Sequence, residues 1–484
     1  MADKGELAKI VGAKNVFDDQ ETLERYSRDN SFVTPRKPSM VVKLKNTNEV
    51  QEVIKLANKT STPIIANSSG FQKFHGDTIP KMGGVVMDLS GLNGIIRVDR
   101  RNRLATIEPG VTFGQLRSEL AKEGMVPYSP LLPRASKSVL ASCLEREPIM
   151  VPRDHWDAQD PLLAGEIIFG DGTKYMSGGA VMATKNDVKD GKIVPVSPMG
   201  AGQMDMMRII QGSQGTIALL AWASVKCRLK PSLEKPFLVP SQELKDLVPF
   251  AQKVLKPFLG DELLILNDFG LANILAEEPG EIRKIRSALP PWTLFLNLAG
   301  YTRYPEEKIG YQEEQIREIA LQEGLSIKSE VGGISAESVL RVLAQSPEKD
   351  RRLRYKGAGQ DLPLLTTLDM TPQITGAMTE TAGAHGYPSS DMSVYIQPIV
   401  QGSGCHLEFS LAYDPLDSEE RGRVEDLFQA AARQLANIGA SYSRPYGMLS
   451  DITYDKDPET VRILREVKKI FDPNDILNPG KLCF

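Results

Sequence analysis

The run "TPIIANSSGFQKFHGD", Thr62 to Asp77, puts the first constraint on the fold. Pro63-Ile64-Ile65-Ala66 is apolar throughout and reads as a buried strand. It ends at Ser68, Ser69 and Gly70, small residues that let a backbone approach a ligand. Taken alone, this glycine-poor turn reads as a surface loop. Upstream, "TNEVQEVIKLANKT" sets Val50, Val53, Ile54, Leu56 and Ala57 on a helical stripe capped by Thr47 or Asn48. Downstream, "GGVVMDLS" and "RLATIEPG" read as short strands. "TFGQLRSELAKEG" reads as a helix capped by Thr112 and stopped at Gly124. "LLAGEIIFGDGTKYMSGG" predicts a hairpin turning at Asp171-Gly172, and "TIALLAWASVKCRLKP" a long apolar strand ending at Pro231. Strands and helices mix here without a regular βαβ repeat.

From about Ser232 to Gly439 the pattern changes. Longer helices ("SQELKDLVPFAQKVLKPF", "PEEKIGYQEEQIREIALQEG", "DSEERGRVEDLFQAAARQLANIG") alternate with strands ("PWTLFLNLAG", "SVYIQPIV", "CHLEFSLAYD"). This predicts an α+β domain whose sheet is covered on one face by helices. The tail "ETVRILREVKKIFDPNDILNPGKLCF" predicts a helix and then an ordered, docked C-terminus, because Phe471, Ile476 and Leu477 lie among turn residues. The expected units are 1–231, 232–439 and 440–484, a length that suits two or three cores.

The net charge of −4 leaves no basic surplus for neutralising phosphates, which argues against a nucleic-acid partner. The N-terminus has no apolar signal core and no run is long enough to span a bilayer, so a cytoplasmic protein is expected. Cys143, Cys227, Cys405 and Cys483 form no CxxC pair, and His75, His155, His385 and His406 are scattered. No metal site is therefore expected, and redox chemistry would need an organic cofactor.

Four stretches then line up in order: the opening loop, "GGVVMDLSGLNGIIRVDRRNRLATIEPGVTFGQL", "MMRIIQGSQGTIALLAWASVKCRLKP" and "FDPNDILNPGKL". Together they resemble the vanillyl-alcohol oxidase / p-cresol methylhydroxylase superfamily of FAD enzymes, which includes glycolate oxidase and D-lactate dehydrogenase flavoproteins. The resemblance covers the chain from Met40 onward and implies an α+β fold. Units 1–231 would be a PCMH-type FAD-binding domain of two α+β subdomains, and 232–439 a substrate-binding cap with an antiparallel sheet. Residues 440–484 would return to the FAD domain.

The resemblance also implies the cofactor site. Asn67, Ser68, Ser69, Gly70 and Phe71 stand at the family's diphosphate loop, where consecutive backbone N–H groups can cradle the anion. Ser138, Val139 and Ser142 stand where relatives carry a glycine pair, and Gly212, Gly215, Thr216 and Ile217 belong to "GSQGTIA", which looks like the family's GSEGTLG. Asn478 and Lys481 come from "NPGKL". Phe71 occupies the place of a flavin-linking histidine in some relatives, which implies non-covalent FAD; His75 lies four residues on and reads as a loop histidine.

For catalysis, period-two spacing puts Tyr395 and Gln397 on one face of a strand, and His406 and Glu408 on one face of another. The latter pair could be a base and its orienter or a satisfied structural pair. Arg444 and Tyr446 of "SYSRPYGMLSD" resemble the Tyr-Arg clamp of phenol-oxidising relatives, and Arg153, His155 and Trp156 form a further polar and aromatic cluster. The expected activity is hydride transfer from a small alcohol-type or phenolic substrate (aryl alcohol, 4-alkylphenol or 2-hydroxy acid) to flavin N5. Electrons would pass to a protein partner, or the chain would form a homo-oligomer. The competing expectation is a flavin-free or weakly flavin-binding structural subunit of a redox complex.

Overall fold

The computed structural model describes residues 1–152, 161–181, 183–200 and 204–484. The buried run at 64–67 is the edge strand of a four-stranded sheet ordered Val16–Phe17, Met40–Lys43, Val85–Asp88, Ile64–Asn67. Its last three strands are parallel, so the chain must cross over between them. The helix Thr47–Thr60 is that crossover between Met40–Lys43 and Ile64–Asn67, and it buries Val50, Val53, Ile54 and Ala57. Its cap is Asn46, whose side chain accepts from the N–H of Glu49. Thr47 and Asn48 already lie inside the helix, one turn position later than a cap requires.

A second sheet of six antiparallel strands centres on Ala218–Leu229, the long apolar strand. Gly165 explains how tightly its neighbour Leu162–Phe169 packs, because a Cβ there would sit 2.2 Å from the Trp222 carbonyl. The expected hairpin turns at Asp171-Gly172, with Gly172 at φ 83°.

The third sheet is antiparallel, ordered Leu233–Ser241, Trp292–Gly300, Glu262–Asn267, Met392–Ile399, Gly404–Tyr413, Ala358–Thr366. Period two divides it cleanly. Leu362, Leu364, Val394, Ile396, Leu407 and Phe409 join one apolar core with the helices Leu244–Leu255, Pro305–Gln322, Thr371–Ala384 and Ser418–Asn437. The other face is not bare, as a one-sided cover would leave it. The helices Asp268–Leu275 and Ala336–Leu343 cover part of it, together with Leu131, Leu132 and Met150 from the first half of the chain. The rest of that face carries polar side chains, described below.

The tail docks as its apolar residues require. Leu477 pairs with Ile64 at the edge of the first sheet, and Ile476 and Leu477 are buried. Asp472 is the hub: its carboxylate accepts from the N–H groups of Ile476 and Leu477 and from Lys468 Nζ at 2.7 Å. Lys468 in turn donates to the carbonyls of Thr216 and Leu477, so this buried cation is fully coordinated. Among the described residues no helix is long and apolar enough to cross a membrane.

Candidate active site

The strand Ile64–Asn67, the segment 134–145 and the turn 210–220 enclose a narrow cleft. Asn67, Ser68 and Ser69 line it, as do Gly212 and Gly215. The N–H groups of Ser68 and Ser69 meet no acceptor among the described residues, and Lys73 also lines the cleft, its ammonium 5.3 Å from the Phe71 ring centre. Burial pushes the Lys73 ammonium down to about 8, against the pull of Asp77 and Asp29. Free backbone donors beside a cation suit a diphosphate, so the residues present fit FAD at this end.

Several expected cofactor residues face elsewhere. The Gly70 N–H is spent on the Ser136 carbonyl at 3.2 Å. Phe71 turns away and packs edge-on against Tyr26, with the Arg25 guanidinium over its ring. Ser138 caps the helix Val139–Leu144 and donates to the Pro109 carbonyl, so its hydroxyl is committed. Val139 and Ile217 point into the apolar core. Thr216 bonds to the Ser213 carbonyl, and Ser142 to Glu147. From this segment Leu140 and Ala141 line the cleft instead. Asn478 and Lys481 act one step back, because Asn478 Nδ2 joins the carbonyls of Asp77 and Gln214 and Lys481 Nζ holds that of Gly76. They clamp the loop from behind.

On the polar face of the third sheet, strand register sets Glu408 between Tyr395 and Pro363, and His406 between Gln397 and Leu365. Glu408 is a buried hub. It bonds Arg351 through one oxygen and meets Arg444 at 3.3 Å and His406 Nε2 at 3.4 Å through the other. Against burial, Arg351, the His406 contact and Arg444 hold its carboxyl well below the usual range. Burial lowers His406, keeping it neutral, and the Tyr395 ring meets it edge-on while the Tyr395 hydroxyl donates to Gln397. His406, Glu408, Arg444 and Tyr395 do not line this cleft. Arg153, His155 and Trp156 lie outside the described residues.

Of the expected catalytic residues, Tyr446 does reach the cleft, and it brings His75 with it. The two rings stack at 4.4 Å and 7°. The loop histidine is thus a wall residue, with its side chain 14% exposed, and both rings line two adjoining clefts. His75 Nδ1 lies 3.8 Å from Glu145 Oε2. Lys137 Nζ bridges Glu145 at 2.8 Å and Glu147 at 2.7 Å. Burial, reinforced by Glu147, raises Glu145 to about 7, whereas Lys137 and Arg444 lower Glu147 to about 2. Burial and the cations Arg352, Lys137 and Arg444 push His75 well down, so its imidazole is neutral. Sequence reasoning missed Glu145, Lys137 and Arg352. Lys137 and Glu145 stand in the charged stretch "PRASKSVLASCLEREP", a signal that was available, whereas Arg352 lies more than 200 positions further on and carried none.

The first half of the chain matches the FAD binding domain family over residues 38–138, and the end matches the FAD linked oxidases C-terminal domain over residues 400–482. D-lactate dehydrogenase of Anaerostipes hadrus is 21% identical over 99% of this chain and 97% of its own length. The glycolate oxidase subunit GlcD of Bacillus subtilis is 21% identical over 99% and 96%. The 4-cresol dehydrogenase [hydroxylating] flavoprotein subunit of Pseudomonas putida is 22% identical over 98% and 93%. The crystal structure of p-cresol methylhydroxylase with substrate bound superposes with TM-score 0.82 at 18% identity, covering 99% of this chain and 96% of that one. The isoeugenol complex of 4-ethylphenol oxidase from Gulosibacter chungangensis gives 0.83 at 18%, with the same coverage. These structural matches establish the fold.

Proposed function

We propose that the chain is an FAD-linked oxidoreductase of the p-cresol methylhydroxylase superfamily and that it dehydrogenates a carbon bearing, or conjugated to, a hydroxyl group. The observation that carries this reading is the neutral His75, stacked on Tyr446 where two clefts meet and backed by Glu145. Bound in the first cleft, FAD supplies the two-electron acceptor. His75 takes the hydroxyl proton, Glu145 balances the imidazolium that forms, and Tyr446 holds the ring in place. A second reading puts His406 in that role, because its imidazole is buried, neutral and set against Glu408 at 3.4 Å. Arg444 would then act through Glu408 as a positioning residue.

Ionisation of Glu145 should speed the step. The rate of flavin reduction is expected to rise with pH through about 7, the value to which Glu145 is raised. Lys137, Glu147, Asp77, His75 and Tyr446 all face this carboxyl, so Glu145→Gln should remove the bend without abolishing FAD binding. A bend unchanged in Glu145→Gln would remove the pair from the reaction.

We further propose that FAD is held non-covalently, since Phe71 turns away from the cleft. Acid precipitation should leave the yellow colour in the supernatant; colour retained in the pellet would oppose this. An electron-accepting protein partner is proposed for reoxidation, with a homo-oligomer as the alternative association. A cytoplasmic setting accords with four cysteines that form no disulfide.

A further inference from the structure

A separate cavity of about 130 Å³ lies where the first half of the chain meets the cap. Among the described residues it shares no lining residue with the cofactor cleft. Arg117 comes to it from the helix Phe113–Lys122 and Arg228 from the strand Ala218–Leu229, while Phe295, Leu340 and Leu343 line it from the cap. The volume approaches the roughly 150 Å³ that admits benzene in an apolar core, so a molecule of a few heavy atoms fits.

Charge narrows the class of occupant. Among the described residues three cations, Arg117, Arg228 and Lys230, and two carboxylates, Glu234 and Glu262, line the space. Both carboxylates are engaged. Glu262 bonds Arg228 Nη2 and accepts from Asn297 Nδ2 at 2.8 Å, and Glu234 accepts from the same amide at 3.0 Å. Arg117 meets only neutral groups among the described residues. Its Nε donates to the Ser346 hydroxyl at 2.7 Å, Nη1 to the Ala344 carbonyl at 2.8 Å and Nη2 to the Ser129 hydroxyl at 2.8 Å. Arg228 keeps Nε and Nη1 buried with no acceptor among the described residues. Burial, and then the neighbouring Arg228 charge, push the Arg117 guanidinium down to about 10. Two guanidiniums thus repel each other beside a space large enough for an anion. A cation withdrawn from water ordinarily has a counter-charge, and the planar fork of arginine matches an oxyanion.

We infer that this cavity binds a small oxyanion of phosphate's size between Arg117 and Arg228. Arg117 already crosses from the first half of the chain to Ala344 and Ser346, and the anion neutralises that joint and so holds the cap in place. The site takes no part in the redox step, and no bond forms or breaks in it.

The probe is inorganic phosphate, added to the FAD-loaded protein so that the diphosphate loop is already filled. The melting temperature should rise saturably with phosphate, as for any ligand that binds the folded state alone, and should rise less with chloride at matched ionic strength. Arg117→Gln should shift the phosphate response about ten- to a hundredfold higher in concentration, the contribution of one charge-assisted bond, at unchanged FAD content. Ala344→Glu serves if that variant does not fold. Ala344 is exposed and lines the cavity beside Arg117, so a carboxylate there supplies the missing charge from within the chain, and the phosphate response should disappear. A melting temperature no more sensitive to phosphate than to chloride would overturn the inference. So would a phosphate response that both variants retain, because the anion would then bind elsewhere on the protein.

Discussion

Glu408→Ala is expected to cost about 3–5 kcal/mol of stability, the range for removing one partner of a buried ionic group. Arg351 and Arg444 are 9% and 4% exposed, and both lose their shared counter-charge. Asp361, 3.6 Å from Arg351, offsets part of the loss on one side only. The melting temperature should drop by many degrees, and the double variant Glu408→Ala, Arg444→Ala should lose less than the two single losses combined, because the pair is coupled. The pH dependence has a definite sign. A carboxyl held below its ordinary value stabilises the fold fully above about pH 4.3, the unfolded value. That contribution disappears only as pH falls through the depressed native value. An unchanged melting temperature in Glu408→Ala would mean that the hub holds nothing together.

His75→Ala should slow flavin reduction by about 10² or more, the usual contribution of a positioned base. The fold should survive, because the ring packs on Tyr446 across a cleft wall and not within an apolar core. FAD content should hold, since the Ser68 and Ser69 N–H groups are untouched. His406→Ala gives the contrast: its imidazole sits beside Glu408 within the ionic network, and early melting with near-normal reduction is expected. Rapid mixing together with melting temperatures separates the two histidines. Normal reduction in His75→Ala with slow reduction in His406→Ala would move the proton acceptor to the cap sheet.

Much of the cap was legible because one physical rule governs it. Alternation at period two assigned His406 and Glu408 to one face, and the sheet keeps them there while Leu407 and Phe409 between and beyond them enter the apolar core. The Asp171-Gly172 hairpin and the Thr112 cap were readable for similar local reasons. The loop 67–71 was only half readable. Which N–H groups stay free there depends on Ser136, a residue 66 positions beyond Gly70, and no local pattern encodes that pairing.

By itself the sequence determined the elements and the order of the motifs, since periodicity, caps and turn chemistry act within a few residues, and the FAD-linked class was legible only through the resemblance those ordered motifs carry. The site was decided by tertiary packing. His75 and Tyr446, 371 positions apart, meet only because the tail clamps the loop through Asn478 and Lys481. Arg444 serves Glu408 only because the cap sheet buries both, and a buried charge takes the nearest opposite one within reach, wherever in the chain that charge lies.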